Sequence, residues 1–135
     1  MIDGALNFLD ILKNQDKQYV FLTNNSSKNT RNYQNKLKRL GAEVSIKNII
    51  NSGEVTADYI KSKKENACVY VVGTPSLEEE FERLGMEVVK NKNKDIDFLV
   101  LGFDTTLNYE KLWDAHDLIL DEVEYIATNP DYVCP

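Results

Sequence analysis

Short, uninterrupted apolar runs alternate along this chain with stretches of helical periodicity. The runs Tyr19–Leu22, Val69–Val72 and Phe98–Leu101 are rich in aromatic and branched residues, and a polar residue or a glycine ends each of them. Continuous apolar character is typical of strands that are covered on both faces, as in parallel sheets. We therefore predict an α/β protein, in which Glu87–Val89 and Tyr125–Ala127 form shorter strands.

The helical stretches have recognisable ends. Tyr33, Leu37 and Leu40 are spaced at i, i+4 and i+7, and Gly41 follows as a C-terminal stop. Thr74-Pro75 has the pattern of an N-cap followed by a proline at the first helical position. Further helices are predicted over Ala5–Leu12, around Val55, Tyr59 and Ile60, and from Asn108 onward.

Composition excludes several classes of protein. Of the 135 residues, 42% are hydrophobic and 28% charged, which is ordinary for a globular domain. The net charge of −6 lacks the positive field that general nucleic-acid binding needs. No apolar run approaches the roughly 20 residues of a membrane span, and no signal-peptide pattern opens the chain. We predict a cytoplasmic protein without a nucleic-acid or membrane partner, in which Cys68 and Cys134 are free thiols.

The polar stretch after the first apolar run is the most informative part of the sequence. Thr23, Asn24 and Asn25 end that run, and a helix follows shortly after them. In open α/β sheets, ligands bind beyond the carboxyl ends of the strands. Hydroxyls, amides and the free N–H groups that begin a helix can bind phosphate oxygens there. A simple polar turn explains the same residues, so they permit a phosphate site without demanding one.

The sequence FLTNNSSK, Phe21–Lys28, resembles the second motif of the haloacid dehalogenase superfamily in the form seen in NagD-like phosphatases. The resemblance implies a partial Rossmann-like core segment over residues 1–51, an α/β cap domain over 52–126, and a return to the core over 127–135. It continues in chain order through Tyr33–Gly41, Ile50–Ser52, Thr56–Ile60, Val71–Gly73, Val100–Asp104, Tyr109–Leu112 and Ala127–Asp131, with Pro135 shortly after.

Members of that family are magnesium-dependent hydrolases of small phosphate esters that act through an aspartyl-phosphate. The resemblance implies that Thr23 holds the transferring phosphoryl group through its hydroxyl, helped by Asn24 and Asn25. It also implies a cap that closes over the site and selects the leaving group. The partner would then be a small phosphorylated metabolite, and the cofactor would be Mg²⁺.

Three further residues are candidate substrate contacts. Asp104 follows a predicted cap strand and is a candidate contact for a substrate hydroxyl or amine. A carboxylate in the turn before a helix is an equal alternative for it. Asn129 and Asp131 are candidates for the rim of the cleft, and the alternative is a turn made by Asn-Pro-Asp.

The family's first motif, DxDGT, has no counterpart in this sequence. Its two aspartates act as nucleophile and general acid/base directly after an N-terminal strand. Here, only two residues precede Asp3-Gly4, and Asp95–Asp97 comes before its strand instead of after it. We therefore predict that the chain supplies the phosphate-binding motif and the cap, but no catalytic residue and no magnesium ligand. The 135-residue chain alone is predicted to be inactive.

Two functions stay open at this point. The first is a NagD-like phosphatase in its complete form. The second is a non-catalytic α/β module derived from the cap, used for binding or oligomerisation. An apolar surface left exposed on the core segment would favour a homodimer.

Overall fold

The computed structural model describes residues 2–92 and 94–131, so Cys134 and Pro135 lie outside the described part of the chain. No helix in these two ranges is long and apolar enough to cross a membrane. The elements are, in chain order, α1 (Ala5–Asn14), β1 (Phe21–Thr23), α2 (Thr30–Arg39), a 3₁₀ turn (Ile46–Asn48), β2 (Ile49–Asn51), α3 (Ser52–Lys63), β3 (Cys68–Val72), α4 (Pro75–Arg83), β4 (Glu87–Val89), β5 (Phe98–Leu101), α5 (Tyr109–Leu120) and β6 (Glu124–Ala127).

The strands form two sheets, and every strand pair in them is parallel. β1 and β2 make a two-stranded sheet in which Leu22 lies opposite Ile50. The other four strands lie in the order β4-β3-β5-β6. The prediction of an α/β fold with parallel strands is therefore confirmed, and the predicted strand bounds differ from the observed ones by at most two residues.

Both faces of the four-stranded sheet are covered by helices, which explains the continuous apolar runs. Each large side chain buried in this way contributes about 1.5–3 kcal/mol to the free energy of unfolding. On one face, α3 and α4 enclose Ala57, Ile60, Ala67, Val69, Val71, Leu77, Phe81, Met86, Phe98 and Val100, and on the other α5 covers Tyr70, Val72, Val89, Leu99 and Leu118.

Of the three large apolar residues from which helix α3 was predicted, only Ile60 is buried. Val55 and Tyr59 are 54% and 48% exposed, whereas Gly53, Ala57 and Ile60 are buried. A Cβ at Gly53 would lie 2.6 Å from Leu77 Cδ1 of α4. Small residues therefore set this face, because only they let the two helices approach closely.

The two-stranded sheet leaves apolar surface uncovered. None of the described residues of α1 is buried, and Leu22 on β1 is 79% exposed. Side chains of α1, β1 and α2 line an open groove of 490 Å³ there. The exposed apolar surface expected on the first segment of the chain is thus present.

Candidate functional site

The loop of residues 24–29, hereafter the motif loop, joins β1 to α2 and is held firmly at the helix. Asn29 caps α2 by accepting a hydrogen bond from Asn32 N at 2.9 Å, and the Asn32 side chain accepts one from Asn29 N at 3.3 Å. Tyr33, one turn into the helix, donates its hydroxyl to Asn25 O at 2.9 Å. This reciprocal capping satisfies N–H groups that would otherwise lack a partner at the helix start.

Within the motif loop, the side chains that the sequence singled out also shape the backbone. Asn25 N donates to Thr23 Oγ1 at 3.3 Å, and Ser27 N donates to Asn25 Oδ1 at 2.9 Å. The second contact is an Asx turn through the side-chain oxygen of Asn25, and phosphate binding by Asn25 stays a prediction. A hydroxyl that accepts one hydrogen bond keeps its own proton for donation. Thr23 can therefore still donate to a ligand oxygen.

The carboxyl ends of β1, β2 and β6 meet at one cleft, although these strands belong to different sheets. The cleft has a volume of 520 Å³. Thr23 and Asn24 follow from β1, Ser52 from β2, and Thr128 from β6. This is the edge at which parallel sheets present ligand-binding side chains.

Asn129 and Asp131 join Asn24 at the rim of this cleft. Asn129 Nδ2 donates to Asn24 O at 3.0 Å, and the Asn24 side-chain amide donates to the Asp131 carboxylate. Ser52 Oγ reaches the same Asn24 carbonyl at 2.8 Å. Asp131 N also donates to Asn129 Oδ1 at 3.0 Å, so the Asn-Pro-Asp turn is present as well. The structure thus brings these predicted residues together, and their contact with a substrate stays a prediction.

Asp104 lies apart from these residues in a network of its own. Its side chain is 2% exposed and accepts hydrogen bonds from Lys111 Nζ, Thr106 N and Thr106 Oγ1, each at 2.7 Å. Burial alone would raise the pKa of Asp104, but these donors outweigh it and hold the pKa below its usual value. Lys111 also donates to Gly73 O at 2.7 Å, so this ion pair connects α5 to the end of β3. The geometry matches the turn-carboxylate alternative, and a substrate contact for Asp104 stays a prediction.

Sequence reasoning did not find Ser26, Ser52 and Thr128. Thr128 directly follows the predicted strand β6, so the rule that ligands bind at strand ends could have found it. Ser52 follows β2, which was not predicted. Ser26 is fully buried, and no spacing in the sequence distinguishes it from its exposed neighbours.

The described residues do not fit a magnesium site. Among residues 2–92 and 94–131, no group of three or more His, Cys, Asp or Glu side chains is arranged to hold a metal ion. Magnesium requires near-octahedral oxygen coordination, usually with carboxylates. Asp97, from the Asp95–Asp97 stretch, instead pairs with Lys64 at 2.6 Å and accepts from Cys68 N at 2.8 Å. It stabilises the amino end of the sheet.

Comparisons with known proteins agree with this fold. The family model described as "Haloacid dehalogenase-like hydrolase" matches residues 1–87. Among curated proteins, an acid sugar phosphatase of Staphylococcus haemolyticus is 33% identical over 99% of this chain and 50% of its own length. The 4-nitrophenylphosphatase of Thermotoga maritima is a similar solved structure, with a TM-score of 0.93 and 41% identity over all of this chain and 51% of its own.

A solved structure of lower sequence identity shows the same fold. The glycerol phosphate phosphatase of Mycobacterium tuberculosis, solved in complex with magnesium, has a TM-score of 0.90 at 24% identity. It aligns with 99% of this chain and 40% of its own.

This chain belongs to the haloacid dehalogenase-like hydrolases. The resemblance to the NagD-like phosphatases is confirmed, since the similar curated proteins and solved structures are phosphatases of that type. The chain spans about half the length of the curated relatives that it matches.

Proposed function

We propose that this chain provides the phosphate-binding and substrate-selecting part of a NagD-like phosphatase that hydrolyses small phosphate monoesters. The observation that carries the proposal is the cleft of 520 Å³ at which Thr23 and Asn24 of the family motif face Thr128 of the other sheet. A cleft of this size is large enough for a small phosphorylated metabolite. We also propose a cytoplasmic location, in keeping with the prediction that Cys68 and Cys134 are free thiols.

In this proposal, Thr23 donates its hydroxyl hydrogen to an oxygen of the phosphoryl group. The Asn24 amide, which donates to Asp131 in the structure, exchanges that acceptor for a second phosphoryl oxygen. Such donors stabilise the negative charge that accumulates during phosphoryl transfer. Asn25 keeps the motif loop in place through its Asx turn and, as the resemblance implies, helps to hold the phosphoryl group.

We further propose the division into a core segment (1–51), a cap (52–126) and a return (127–135). The two separate sheets support it, because β2 ends at Asn51 and α3 begins at Ser52. The cap selects the substrate, and the nucleophilic aspartate and the magnesium ligands of the complete enzyme come from residues other than those described. Magnesium, held by those other residues, would supply positive charge to the phosphoryl oxygens in the complete enzyme.

Phosphate binding by the chain itself tests this proposal. We expect inorganic phosphate to shift the amide NMR signals of residues 23–25, because a phosphoryl oxygen then accepts from Thr23 and Asn24. Thr23→Val keeps the shape of the side chain and removes the hydroxyl, so we expect at least about tenfold weaker binding.

Ser62→Ala is the control, because it removes an exposed hydroxyl whose hydrogen bond, to Tyr59 O, stays within α3. It should leave phosphate affinity unchanged. Signals of residues 23–25 that stay in place on addition of phosphate to the unsubstituted chain would contradict the proposed function.

The uncovered apolar groove favours self-association as a second candidate function. We expect the chain to form a dimer in sedimentation experiments at tens of micromolar, with the groove beside Leu22 as the interface. Leu22→Glu should give a monomer, because it places a charge on the face that the dimer would bury.

Leu120→Glu is the control for this experiment, since Leu120 is 68% exposed on α5, outside the groove. It should leave the dimer intact. A monodisperse monomer of the unsubstituted chain would rule out this candidate function.

A further inference from the structure

We infer that Ser26 is a positioning residue that fixes the motif loop to the carboxyl edge of the four-stranded sheet, and so sets the width of the cleft. The inference rests on the proposed function, because it concerns the loop that would hold the phosphate. It assigns no contact between Ser26 and the substrate.

The Ser26 hydroxyl lies at the point where three segments meet. Ser26 is 0% exposed, and its Oγ accepts hydrogen bonds from Phe103 N at 3.0 Å and from Thr128 Oγ1 at 2.9 Å. Phe103 lies just beyond β5, and Thr128 directly follows β6. One buried hydroxyl therefore connects the motif loop to the ends of two strands of the other sheet.

A second contact continues this connection to β3. Thr74, which caps α4 after that strand, donates its hydroxyl to Ser27 O at 2.8 Å. The motif loop is thus bound to the carboxyl ends of β3, β5 and β6, which are three of the four strands of the sheet. The motif loop therefore covers the carboxyl edge of the four-stranded sheet, which is the edge where α/β proteins commonly bind ligands.

Close packing shows that the position of Ser26 is tightly constrained. A Cβ on Gly102 would lie 3.0 Å from Ser26 Oγ and 2.4 Å from Leu77 Cδ2. Glycine at position 102 therefore lets the serine approach the end of β5. If the Ser26 hydroxyl were removed, Phe103 N would lose its partner in a part-buried position, and a buried N–H without an acceptor is strongly disfavoured.

Ser26 affects the cleft through Thr128. Thr128 lines the cleft opposite Thr23 and Asn24, and the donation from its hydroxyl to Ser26 holds it against the motif loop. Without this bond, the two walls of the cleft are no longer held at a fixed separation at this point. A phosphate ion that contacts one wall of the cleft would then no longer find the second wall already in position, so its binding would weaken.

A separate contact keeps the two sheets together without Ser26. Thr30 at the start of α2 donates to Glu80 Oε1 of α4 at 2.7 Å and accepts from Asn51 Nδ2 at 2.9 Å. All three side chains are buried. We therefore expect Ser26→Ala to fold, and to change the motif loop locally.

The test uses the full 135-residue chain and two independent measurements. In Ser26→Ala, we expect hydrogen exchange at the Phe103 amide to accelerate at least about tenfold, and the affinity for inorganic phosphate to fall at least about threefold. Ser27→Ala is the matched control, because that hydroxyl is partly exposed and Ser27 contacts Thr74 only through its backbone carbonyl. It should change neither value.

Thr128 tests the second hydrogen bond separately. Thr128→Val should weaken phosphate binding as Ser26→Ala does but leave exchange at Phe103 unchanged, because Ser26 Oγ still accepts from Phe103 N. Thr128→Ser, which keeps the hydroxyl, should retain both values of the unsubstituted chain. The double variant Ser26→Ala/Thr128→Val should bind phosphate no more weakly than Ser26→Ala, because that substitution already removes the hydrogen bond from Thr128.

Three results would overturn the inference. The first is unchanged exchange at Phe103 in Ser26→Ala. The second is full additivity of Ser26→Ala and Thr128→Val. The third is an equal loss of phosphate affinity in Val69→Ala, a core variant that lowers stability away from the motif loop, because Ser26 would then be merely structural. Absence of phosphate binding by the unsubstituted chain would instead refute the proposed function, and the exchange at Phe103 would still decide the role of Ser26.

Discussion

A chimera in which this chain replaces the matching half of the Thermotoga maritima 4-nitrophenylphosphatase is expected to hydrolyse 4-nitrophenyl phosphate. The replaced part is 51% of that protein, and the two structures align with a TM-score of 0.93. In the chimera, Thr23→Val should lower kcat/KM by about 10²–10³-fold, because it removes one donor to the phosphoryl oxygens in the transition state. Steady-state kinetics with magnesium present measure this loss.

The control for the chimera is again Ser62→Ala, which should stay within twofold of the unsubstituted chimera, about 0.4 kcal/mol in barrier height. A Thr23→Val chimera of full activity would contradict the role of this hydroxyl, and a folded but inactive chimera would contradict the proposed function. The 135-residue chain alone should show no magnesium-dependent hydrolysis, because its sequence has no DxDGT motif.

Leu77→Ala is expected to cost about 2–5 kcal/mol of the free energy of unfolding. Leu77 is 1% exposed in the core between the four-stranded sheet and α3 and α4. Its side chain fills the space beside Gly53, Gly73 and Gly102, where an added Cβ would lie 2.4–2.7 Å from it. Backbone from three elements surrounds this side chain, so the cavity left by the substitution cannot easily collapse. Urea denaturation followed by circular dichroism measures the loss.

Leu22→Ala provides the matched control, since it is the same substitution at a leucine that is largely exposed on β1. It should change the free energy of unfolding by less than about 0.5 kcal/mol. Equal losses at the two positions would show that the core is not organised around Leu77.

The parts of the fold that depend on local sequence were predicted well. Thr74 and Asn108 are N-caps in the structure, with side chains that accept from Leu77 N and Lys111 N. These two N-caps could be predicted from the sequence because a capping side chain bonds to a backbone N–H only two or three residues away. The strand β2 was missed because it offers only Ile49 and Ile50 before a polar residue, too short a run to separate from a loop. It is a strand because it forms a parallel pair with β1.

The buried face of α3 could not be predicted, for a related reason. The helix was predicted from its large apolar residues, and of Val55, Tyr59 and Ile60 only Ile60 is buried. The helix instead packs through Gly53 and Ala57, because α4 approaches closely enough to exclude larger side chains. The close approach of α4 depends on tertiary packing, which the sequence of α3 alone does not encode.

For the candidate site, the strand-end rule permitted a phosphate site at Thr23, Asn24 and Asn25, and the family resemblance assigned their roles and added Asn129 and Asp131. The structure brings Asn24, Asn129 and Asp131 into contact. Lys111 was not anticipated as the partner of Asp104, because the turn between them decides whether they meet. Ser26 could not be predicted, since its role depends on the ends of strands far along the chain.

The hydrogen bond between Ser26 and Thr128 also bears on the order of folding. It joins residues 102 positions apart, and the contact from Asn129 to Asn24 spans 105. Neighbouring strands of the four-stranded sheet are close in sequence by comparison, and contacts across short separations form first because they close short loops at small entropic cost. We expect the sheet to assemble early and the motif loop to dock onto its finished edge, so that the cleft is among the last parts of the molecule to acquire its final shape.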